Sequence, residues 1–187
     1  DTDTEVVLNS LIYWGSEAIS KFNGMFALAF WDREEKKLLL ARDRYGIKPL
    51  YFSEEQEYFS FGSEQKAILA NYKYNKKINE EALLEYFTFQ NIFTDQTFFK
   101  NIKIIQPGFY KILKFEDNKI KSSIDIQYWD YQFNQDNSIK NNKSYLDELQ
   151  SLFEQAIYNN LISDVEIGSY LSGGVDSGTI TAITKNK

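Results

Sequence analysis

The feature that most constrains the fold is a glycine-containing loop near the C-terminal end, Ser172-Gly173-Gly174-Val175-Asp176-Ser177. An apolar run, Val165 to Leu171, comes before it and predicts a buried strand. Residues Thr179 to Thr184 come after it and can form a helix. A strand, a glycine turn and a helix in this order point backbone N–H groups and the positive end of a helix dipole at an anion. The sequence therefore predicts a phosphate-binding loop at the start of a parallel α/β domain.

Two glycines and two hydroxyls give this loop its chemistry. Gly173 and Gly174 let the main chain approach phosphate oxygens without a side chain in the way. Ser172 and Ser177 can donate hydrogen bonds to the same oxygens. An ordinary strand-to-helix turn is the alternative, and it would explain a bare Gly-Gly pair, but the complete six-residue string favours the phosphate site. The loop is not a Walker A motif, because the glycine spacing differs and no Lys follows the second glycine.

Composition excludes several classes of protein. A chain of 187 residues with 43% hydrophobic residues can build a core for one domain or slightly more. Its net charge of -6 argues against nucleic acid as a partner. There is no Cys for a disulfide or thiolate metal site, and no His to serve as a general base. The apolar runs are too short to cross a membrane and no signal peptide is visible, so we expect a cytoplasmic protein without a membrane partner.

The first two-thirds of the chain predicts a layered α+β structure. Thr2 and Glu5 have the spacing of a capping box and predict a helix that ends at Gly15. The apolar runs Phe26 to Trp31 and Leu38 to Ala41 predict a hairpin whose strands are buried on both faces. A charged turn follows, in which Arg42 or Arg44 could pair with Asp43 or Glu64. A binding role for this turn is an equally open alternative.

Further elements are predicted up to residue 129. They are a hairpin of Tyr51-Phe52 with Tyr58 to Phe61, a short helix capped by Ser63, a helix capped by Asn79 with Leu83, Leu84 and Phe87 on one side, and two strands, Phe98 to Ile105 and Phe109 to Phe115, joined by a turn at Pro107-Gly108.

A polar segment predicts a domain boundary. Residues Gln132 to Lys143 are rich in Asn, Gln, Asp and Lys, which is typical of a linker. Ser144 then predicts the cap of a long helix with a wide apolar stripe formed by Leu146, Leu149, Leu152, Phe153, Ala156, Ile157 and Leu161. We therefore divide the chain into a domain at 1–129, a linker at 130–143 and a second domain that starts at 144 and continues to 187. Because the first residue is Asp1 and the last helix stops soon after it begins, we expect a piece of a longer protein.

Five motifs occur in an order that resembles a known family. They are Thr2-Asp3-Thr4-Glu5-Val6, Phe22-Asn23-Gly24-Met25-Phe26-Ala27, Ala41-Arg42-Asp43-Arg44-Tyr45-Gly46-Ile47-Lys48-Pro49-Leu50-Tyr51, Gly62-Ser63-Glu64-Gln65-Lys66-Ala67 and the loop Ser172 to Ser177. Over nearly its whole length the chain resembles the glutamine-hydrolysing asparagine synthetases. The first four motifs resemble the later half of a class II glutamine amidotransferase domain, and the loop resembles the start of the synthetase domain, which belongs to the ATP pyrophosphatase group.

The resemblance implies a fold and a reaction. The fold is part of a four-layer α+β sandwich, with two sheets between helices, followed by the start of an α/β parallel-sheet domain. The enzyme would hydrolyse glutamine to ammonia at one site. At the other it would adenylate aspartate with Mg-ATP, release pyrophosphate and let ammonia attack the β-aspartyl-AMP. ATP and Mg are the implied cofactors, and glutamine, aspartate and ATP are the implied small-molecule partners, while a homodimer is left open.

Site residues follow from the same resemblance. Asp3 matches the aspartate that holds the α-ammonium of glutamine, a role that suits a carboxylate; a helix-start carboxylate satisfied by the dipole is the alternative. Leu171 matches a position that lines the nucleotide site. Ser172, Gly173, Gly174, Asp176 and Ser177 match the pyrophosphate loop, with Asp176 as the candidate Mg ligand. The resemblance gives Arg42, Asp43 and Lys48 a structural role.

Two departures from the family limit the expected activity. The family's glutaminase nucleophile is an N-terminal Cys and this chain has none, so no catalytic residue is assigned and we expect neither activity from the chain alone. The ATP pyrophosphatase group usually carries Ser or Thr where this chain has Gly178, which weakens the first turn of the helix. Three alternatives remain: a related enzyme that amidates another carboxylate, the amidotransferase that starts purine synthesis, which the Ser172 to Ser177 loop argues against, and a non-catalytic amidotransferase-like scaffold.

Overall fold

A computed structural model describes residues 2–55, 58–71, 74–117, 119–134 and 141–185. The chain forms two compact units, Asp1–Tyr131 and Gln132–Lys187, which are described separately below. Residues 135–140 of the predicted linker lie outside the described residues. None of the helices in the described ranges is long and apolar enough to cross a membrane.

The first unit is a mixed α+β structure with two antiparallel sheets. The four-stranded sheet has the order β1-β2-β6-β7 and the three-stranded sheet has the order β4-β3-β5. Its elements are α1 (Asp3–Trp14), α2 (Ala18–Lys21), β1 (Ala27–Asp32), β2 (Lys37–Arg42), β3 (Tyr51–Glu54), β4 (Phe59–Gly62), α3 (Gln65–Leu69), α4 (Glu80–Phe89), β5 (Ile102–Ile104), β6 (Phe109–Glu116) and β7 (Lys119–Gln127). A short 3-10 turn, Gly15–Glu17, joins α1 to α2.

Alternating side chains on β2 place this strand between two apolar clusters. Leu39 and Ala41 pack with buried residues of the α1–α2 segment, such as Leu11 and Ile19. Leu38 and Leu40 point to the other face, where they pack with residues of the three-stranded sheet region: Leu50, Phe52 and Ile105. A third cluster joins Ile68 of α3 to Ile102 and Tyr74. The predicted double burial of the strand at Leu38 to Ala41 is confirmed.

The predicted double burial of the preceding strand is wrong. β1 pairs with β2 in the expected antiparallel hairpin, but Trp31 and Ala29 are exposed. The reason is topological: β1 lies at the edge of the four-stranded sheet, and in the described part of the chain only β2 pairs with it. Ala29 and Trp31 stand opposite Leu40 and Leu38, so they share a face with them. The three-stranded sheet region covers that face at β2 and leaves it exposed at the edge strand.

The helix predictions are partly correct. Thr2 caps α1 and Asn79 caps α4, as predicted. Ser63 does not cap α3, because the cap position is Glu64 and its side chain makes no capping hydrogen bond. The predicted apolar side of α4 is also wrong, since Leu84 and Phe87 are 69% and 78% exposed, and the buried residue of this helix is Ala82.

The turn at Pro107-Gly108 connects two different sheets. The predicted strand Phe98 to Ile105 is reduced to the three residues of β5, which pair with β3. The next strand, β6, pairs with β2 and β7 in the other sheet. The loop between them therefore carries the chain across the inter-sheet core rather than closing a hairpin.

The described residues of the second unit, 132–134 and 141–185, form two helices, α5 (Asn142–Asn160) and α6 (Val175–Lys185). α5 begins two residues before the predicted cap, because the side chain of Asn141, not Ser144, accepts the capping hydrogen bond. Its predicted apolar stripe is largely exposed, and Ile157 is its buried residue.

The predicted strand Val165 to Leu171 does not form. A strand needs hydrogen bonds to a neighbouring strand, and the described residues of this unit include no other strand. The approach to the glycine loop is therefore a non-helical segment that pairs with no sheet.

Candidate functional site

Asp3 is the first helical residue of α1 and lies exposed to solvent. Thr2 caps this helix with extended backbone angles, and its hydroxyl accepts a hydrogen bond from the backbone N–H of Glu5 at 3.4 Å. Because Thr2 provides the cap, the Asp3 carboxylate is not needed for that purpose. A helix N-terminus also favours a negative charge. The position of Asp3 therefore fits both a dipole-stabilised surface carboxylate and a ligand for an ammonium group.

The glycine loop is organised by its two serines. The Oγ atoms of Ser172 and Ser177 lie 3.0 Å apart, and the Ser177 hydroxyl donates to the carbonyl of Gly174 at 3.1 Å. Between them, Gly173 has a φ of 87°, in the left-handed region, where residues with a side chain are strained. The loop therefore brings together Ser172, Gly173, Gly174 and Ser177 in one tight turn.

The loop ends at the start of α6, which begins at Val175. The backbone N–H of Gly178 donates to the carbonyl of Gly174 at 3.0 Å, the first i to i−4 bond of the helix. The N–H groups of Val175, Asp176 and Ser177 come before that bond, so helix geometry gives them no intrahelical acceptor. These N–H groups and the two serine hydroxyls are donors of the kind that bind anions.

The remaining predicted residues of the loop are exposed. Leu171 leads into the turn with 64% of its surface exposed. The Asp176 carboxylate lies in the first turn of α6 and is also exposed. Within the described residues, no group of three or more acidic side chains could hold a metal ion. Asp176 is thus a single carboxylate beside the predicted phosphate position.

A groove of about 530 Å³ runs between α5 and α6 and reaches the loop. Its lining is mainly apolar, with Phe153 and Ile157 from α5 and Ile180 from α6. Ser169 and Ser177 supply polar groups to its wall. The Ser177 side chain therefore borders both the glycine turn and this groove.

At the corner after β2, backbone N–H groups hold the carboxylate of Asp43, and no salt bridge between the corner's own residues is needed. Asp43 is 1% exposed. Its carboxylate accepts hydrogen bonds from backbone N–H groups, at 2.9 Å from Ile47, 3.0 Å from Lys48 and 3.2 Å from both Phe26 and Tyr45. The sequence suggested an Arg partner for this carboxylate, and that alternative is wrong. A carboxylate can accept this many bonds because each oxygen has two lone pairs.

Arg42 completes the same corner through carbonyl oxygens. Its guanidinium donates to the carbonyls of Lys48 at 2.8 Å, Ile105 at 2.8 Å and Gly46 at 2.6 Å. Burial lowers the pKa of Arg42 from its usual value. Lys48 takes part through its backbone, and its side chain is exposed. These bonds join the end of the four-stranded sheet at β2 to the loops that lead into and out of the three-stranded sheet, which is a structural role.

Tyr128 is a corner residue that sequence reasoning missed. Its hydroxyl donates to the carbonyl of Arg42 at 2.8 Å. Burial and the nearby charge of Asp43 raise the pKa of Tyr128 to about 12. The local sequence gave no signal for this contact, because 86 residues separate the two partners.

In comparisons with known proteins, two families match two different parts of the chain. Residues 1–129 match the family described as glutamine amidotransferase domain. Residues 148–187 match the family described as asparagine synthase. The second match includes the glycine loop and α6, and the first includes Asp3 and the corner of Arg42 and Asp43.

Several curated proteins are similar over the length of this chain. Asparagine synthetase [glutamine-hydrolyzing] 3 of Bacillus subtilis is 39% identical over 187 residues, which cover 97% of this chain and 29% of that protein. The putative asparagine synthetase [glutamine-hydrolyzing] 2 of Methanocaldococcus jannaschii is 32% identical, over 98% of this chain and 35% of its own length. Amidase chry2 of Gibberella zeae is 29% identical, over 100% of this chain and 27% of its own length.

The chain spans about a third or less of the length of these relatives. The matched family covers more than half of the chain, from residue 1 to residue 129. The chain therefore belongs to the glutamine amidotransferase domain family, and it continues into a segment of the asparagine synthase family.

Proposed function

We propose that this chain is part of an ATP-dependent, glutamine-hydrolysing asparagine synthetase. Such an enzyme converts aspartate, glutamine and ATP into asparagine, glutamate, AMP and pyrophosphate. The observation that carries the proposal is the turn in which Ser172 and Ser177 meet at 3.0 Å at the start of α6, inside the segment that matches the asparagine synthase family. The two relatives named as asparagine synthetases support it at 39% and 32% identity.

In this proposal the glycine loop binds the pyrophosphate of ATP. When the carboxylate of aspartate attacks the α-phosphorus, the bond to pyrophosphate breaks and negative charge grows on the leaving oxygens. The N–H groups at the start of α6 would donate hydrogen bonds to those oxygens. The hydroxyls of Ser172 and Ser177 would donate as well, by turning from their present partners, which are each other and the Gly174 carbonyl. Donors fixed in place before the reaction stabilise developing charge most effectively.

The carboxylate of Asp176 fits a role beside Mg rather than beside bare phosphate. Two anions at one helix N-terminus repel each other unless a cation lies between them. Mg²⁺ is commonly held by one or two carboxylates together with substrate phosphates. A single exposed carboxylate in the first turn of α6 is consistent with that arrangement, in which most ligands come from ATP and water.

Asp3 would bind the α-ammonium of glutamine in the other half of the reaction. An exposed carboxylate at the start of α1 can form charge-assisted hydrogen bonds with an ammonium group. The 187 residues include no Cys, so the family's thiol nucleophile is not among them. This chain would contribute to glutamine binding and not to the bond-breaking step.

The finer features of the architecture belong to the same proposal. They are the four-layer sandwich of the amidotransferase half, a parallel sheet in the synthetase half, the boundaries at 129 and 144, a cytoplasmic location and dependence on Mg-ATP. The packing of the α1–α2 segment on β2, and of β2 on the three-stranded sheet region, supports the layered arrangement.

Exchange of labelled pyrophosphate into ATP tests the synthetase half. We expect the product of the complete reading frame to catalyse exchange that depends on aspartate and Mg. Exchange that needs another acid would contradict the asparagine assignment while leaving the adenylation chemistry intact. Absence of exchange with every acid tested would contradict the ATP site itself.

A related amidotransferase that acts on another carboxylate is the second candidate. The observation that favours it is the similarity to a fungal protein named as an amidase, which shows that relatives with different names share this part of the chain. A panel of carboxylic acids in the exchange assay separates the two candidates, because each predicts a different acid.

A further inference from the structure

One threonine of α6, Thr181, has a different kind of hydrogen-bond partner from the other two threonines of the helix. The hydroxyls of Thr179 and Thr184 donate to the carbonyls four residues earlier, Val175 and Ile180, each at 2.8 Å. This local bond is common for threonine in helices. The Oγ1 of Thr181 instead lies 2.8 Å from the Oγ of Ser169, twelve residues earlier in the chain. Its hydroxyl thus connects the helix to the segment that leads into the glycine loop.

Apart from the Ser169–Thr181 hydrogen bond, few contacts hold residues 165–171, the segment before the loop. It forms no strand among the described residues, so no sheet hydrogen bonds fix it. Its large side chains add little packing, since Tyr170 is 99% exposed and Leu171 is also exposed. Under these conditions a single side-chain hydrogen bond has more influence on backbone position than it would in a packed sheet.

Two hydroxyl pairs link this segment to α6 in a regular order. Ser169 pairs with Thr181, and Ser172 pairs with Ser177. Thr181 and Ser177 are four residues apart, so they lie on the same face of the helix. From Ser169 to Ser172 the segment advances by three residues, whereas the partner on α6 moves back by four residues, from Thr181 to Ser177. The segment therefore runs antiparallel to the helix. The Ser169–Thr181 pair holds the segment at one turn of α6, and the Ser172–Ser177 pair closes the loop one helical turn closer to the N-terminus of α6.

We propose that Ser169 and Thr181 are a positioning pair for the phosphate loop. They do not touch the ligand. They fix the direction in which the backbone reaches Ser172 and the two glycines, so that the loop N–H groups are already in place when an anion binds. Binding sites held in their bound geometry lose less free energy on association. This inference rests on the proposed function of the loop as a pyrophosphate site.

Variants that remove one hydroxyl at a time test the pair. Ser169→Ala and Thr181→Val each delete the bond, and Thr181→Ser restores a hydroxyl at the same position. Thr179→Val is the matched control, because it removes a hydroxyl from the same helix that donates to the Val175 carbonyl within the helix. The two measurements are the affinity of the product of the complete reading frame for inorganic pyrophosphate and amide hydrogen exchange at residues 172–177 of that protein without ligand.

We expect Ser169→Ala and Thr181→Val to weaken pyrophosphate binding roughly threefold to tenfold, the range for one lost hydrogen bond. Both should speed exchange at residues 172–177. The double variant should be no worse than either single variant, because both remove the same interaction. Thr181→Ser and Thr179→Val should resemble the unmodified chain.

The outcomes separate the two proposals. If the unmodified product of the complete reading frame does not bind pyrophosphate, the proposed function of the loop fails. If Thr181→Val matches Thr179→Val in loop exchange, the positioning pair is overturned whatever the affinity. If exchange changes but affinity does not, the pair orders the loop without serving the anion site, which also overturns the inference.

Discussion

The Oγ atoms of Ser172 and Ser177 lie 3.0 Å apart across the glycine turn, so the hydroxyls on both sides of the turn meet at one point. We expect Ser177→Ala to lower the affinity for pyrophosphate about tenfold or more, because hydrogen bonds to a charged partner contribute about 1.5–3 kcal/mol. Isothermal titration measures the change. Thr184→Ala is the control, since its hydroxyl bonds to the Ile180 carbonyl. Equal losses in the two variants would contradict a specific role for Ser177.

Asp3 should matter for glutamine and not for ammonia. In the product of the complete reading frame we expect Asp3→Asn to raise the KM for glutamine at least tenfold, through loss of a charge-assisted bond. Synthesis driven by ammonium chloride should be unchanged. Glu5→Gln is the matched control, because Glu5 is the other acidic residue in the first turn of α1. If both nitrogen sources lose activity equally, Asp3 is structural.

The Asp43 carboxylate should be the most sensitive charged group of the first unit. Asp43→Asn replaces one carboxylate oxygen with an NH₂ group that faces backbone N–H donors. We expect the free energy of unfolding in urea to fall by about 2–4 kcal/mol. Asp32→Asn is the control, since the Asp32 carboxylate accepts hydrogen bonds from the backbone N–H groups of Glu34 and Glu35 in a surface turn, and the change should cost under about 1 kcal/mol. Similar losses would mean that burial of Asp43 has little effect.

Alkaline pH should weaken the first unit through Tyr128. Burial raises its pKa in the folded chain to about 12, from an ordinary tyrosine value of 10.0. Between these values the unfolded state has released the phenol proton while the folded state still holds it, so the free energy of unfolding falls as pH rises from 10 to 12. Unfolding in urea across this range measures the slope. We expect Tyr128→Phe to show a shallower decrease, and an unchanged slope would contradict the assignment.

Gly108 should not tolerate a side chain. Its φ is 73°, and a Cβ there would lie 2.6 Å from the backbone oxygen of Trp129. We expect Gly108→Ala to destabilise the first unit by about 2 kcal/mol or more, combining left-handed strain with a backbone clash. Gly24→Ala is the control, because a Cβ at Gly24 meets nothing within 4 Å. Thermal unfolding compares the melting temperatures of the two variants, and equal melting temperatures would contradict the clash.

Local signals in the sequence identified two of the four predicted helix caps, and they were wrong at Ser63 and Ser144. Thr2 and Asn79 were identified as caps because a cap depends on residues within one helical turn. The glycine turn and the helix after it were identified for the same reason. The hairpin of β1 and β2 follows from two apolar runs separated by a charged turn.

Features that depend on distant partners could not be read from the sequence. The run Val165 to Leu171 has the composition of a buried strand, but strand formation requires a neighbour that the described residues of its unit do not provide. The predicted apolar side of α4 and the predicted double burial of β1 were wrong for a similar reason. Burial depends on which element packs against each face, and the sequence does not show this. The corner at Asp43 was expected from its charges, but its partners were not, because its donors are backbone N–H groups and these carry no residue-type signal.

Transfer of the labelled amide nitrogen of glutamine tests whether this chain is part of a glutamine-hydrolysing asparagine synthetase. The product of the complete reading frame is incubated with amide-¹⁵N glutamine, aspartate and Mg-ATP, and the products are followed by NMR and mass spectrometry. We expect ¹⁵N in the side-chain amide of asparagine, with one AMP and one pyrophosphate formed for each asparagine. Release of ADP and phosphate, or labelled amide in a different acid with none in asparagine, would contradict it.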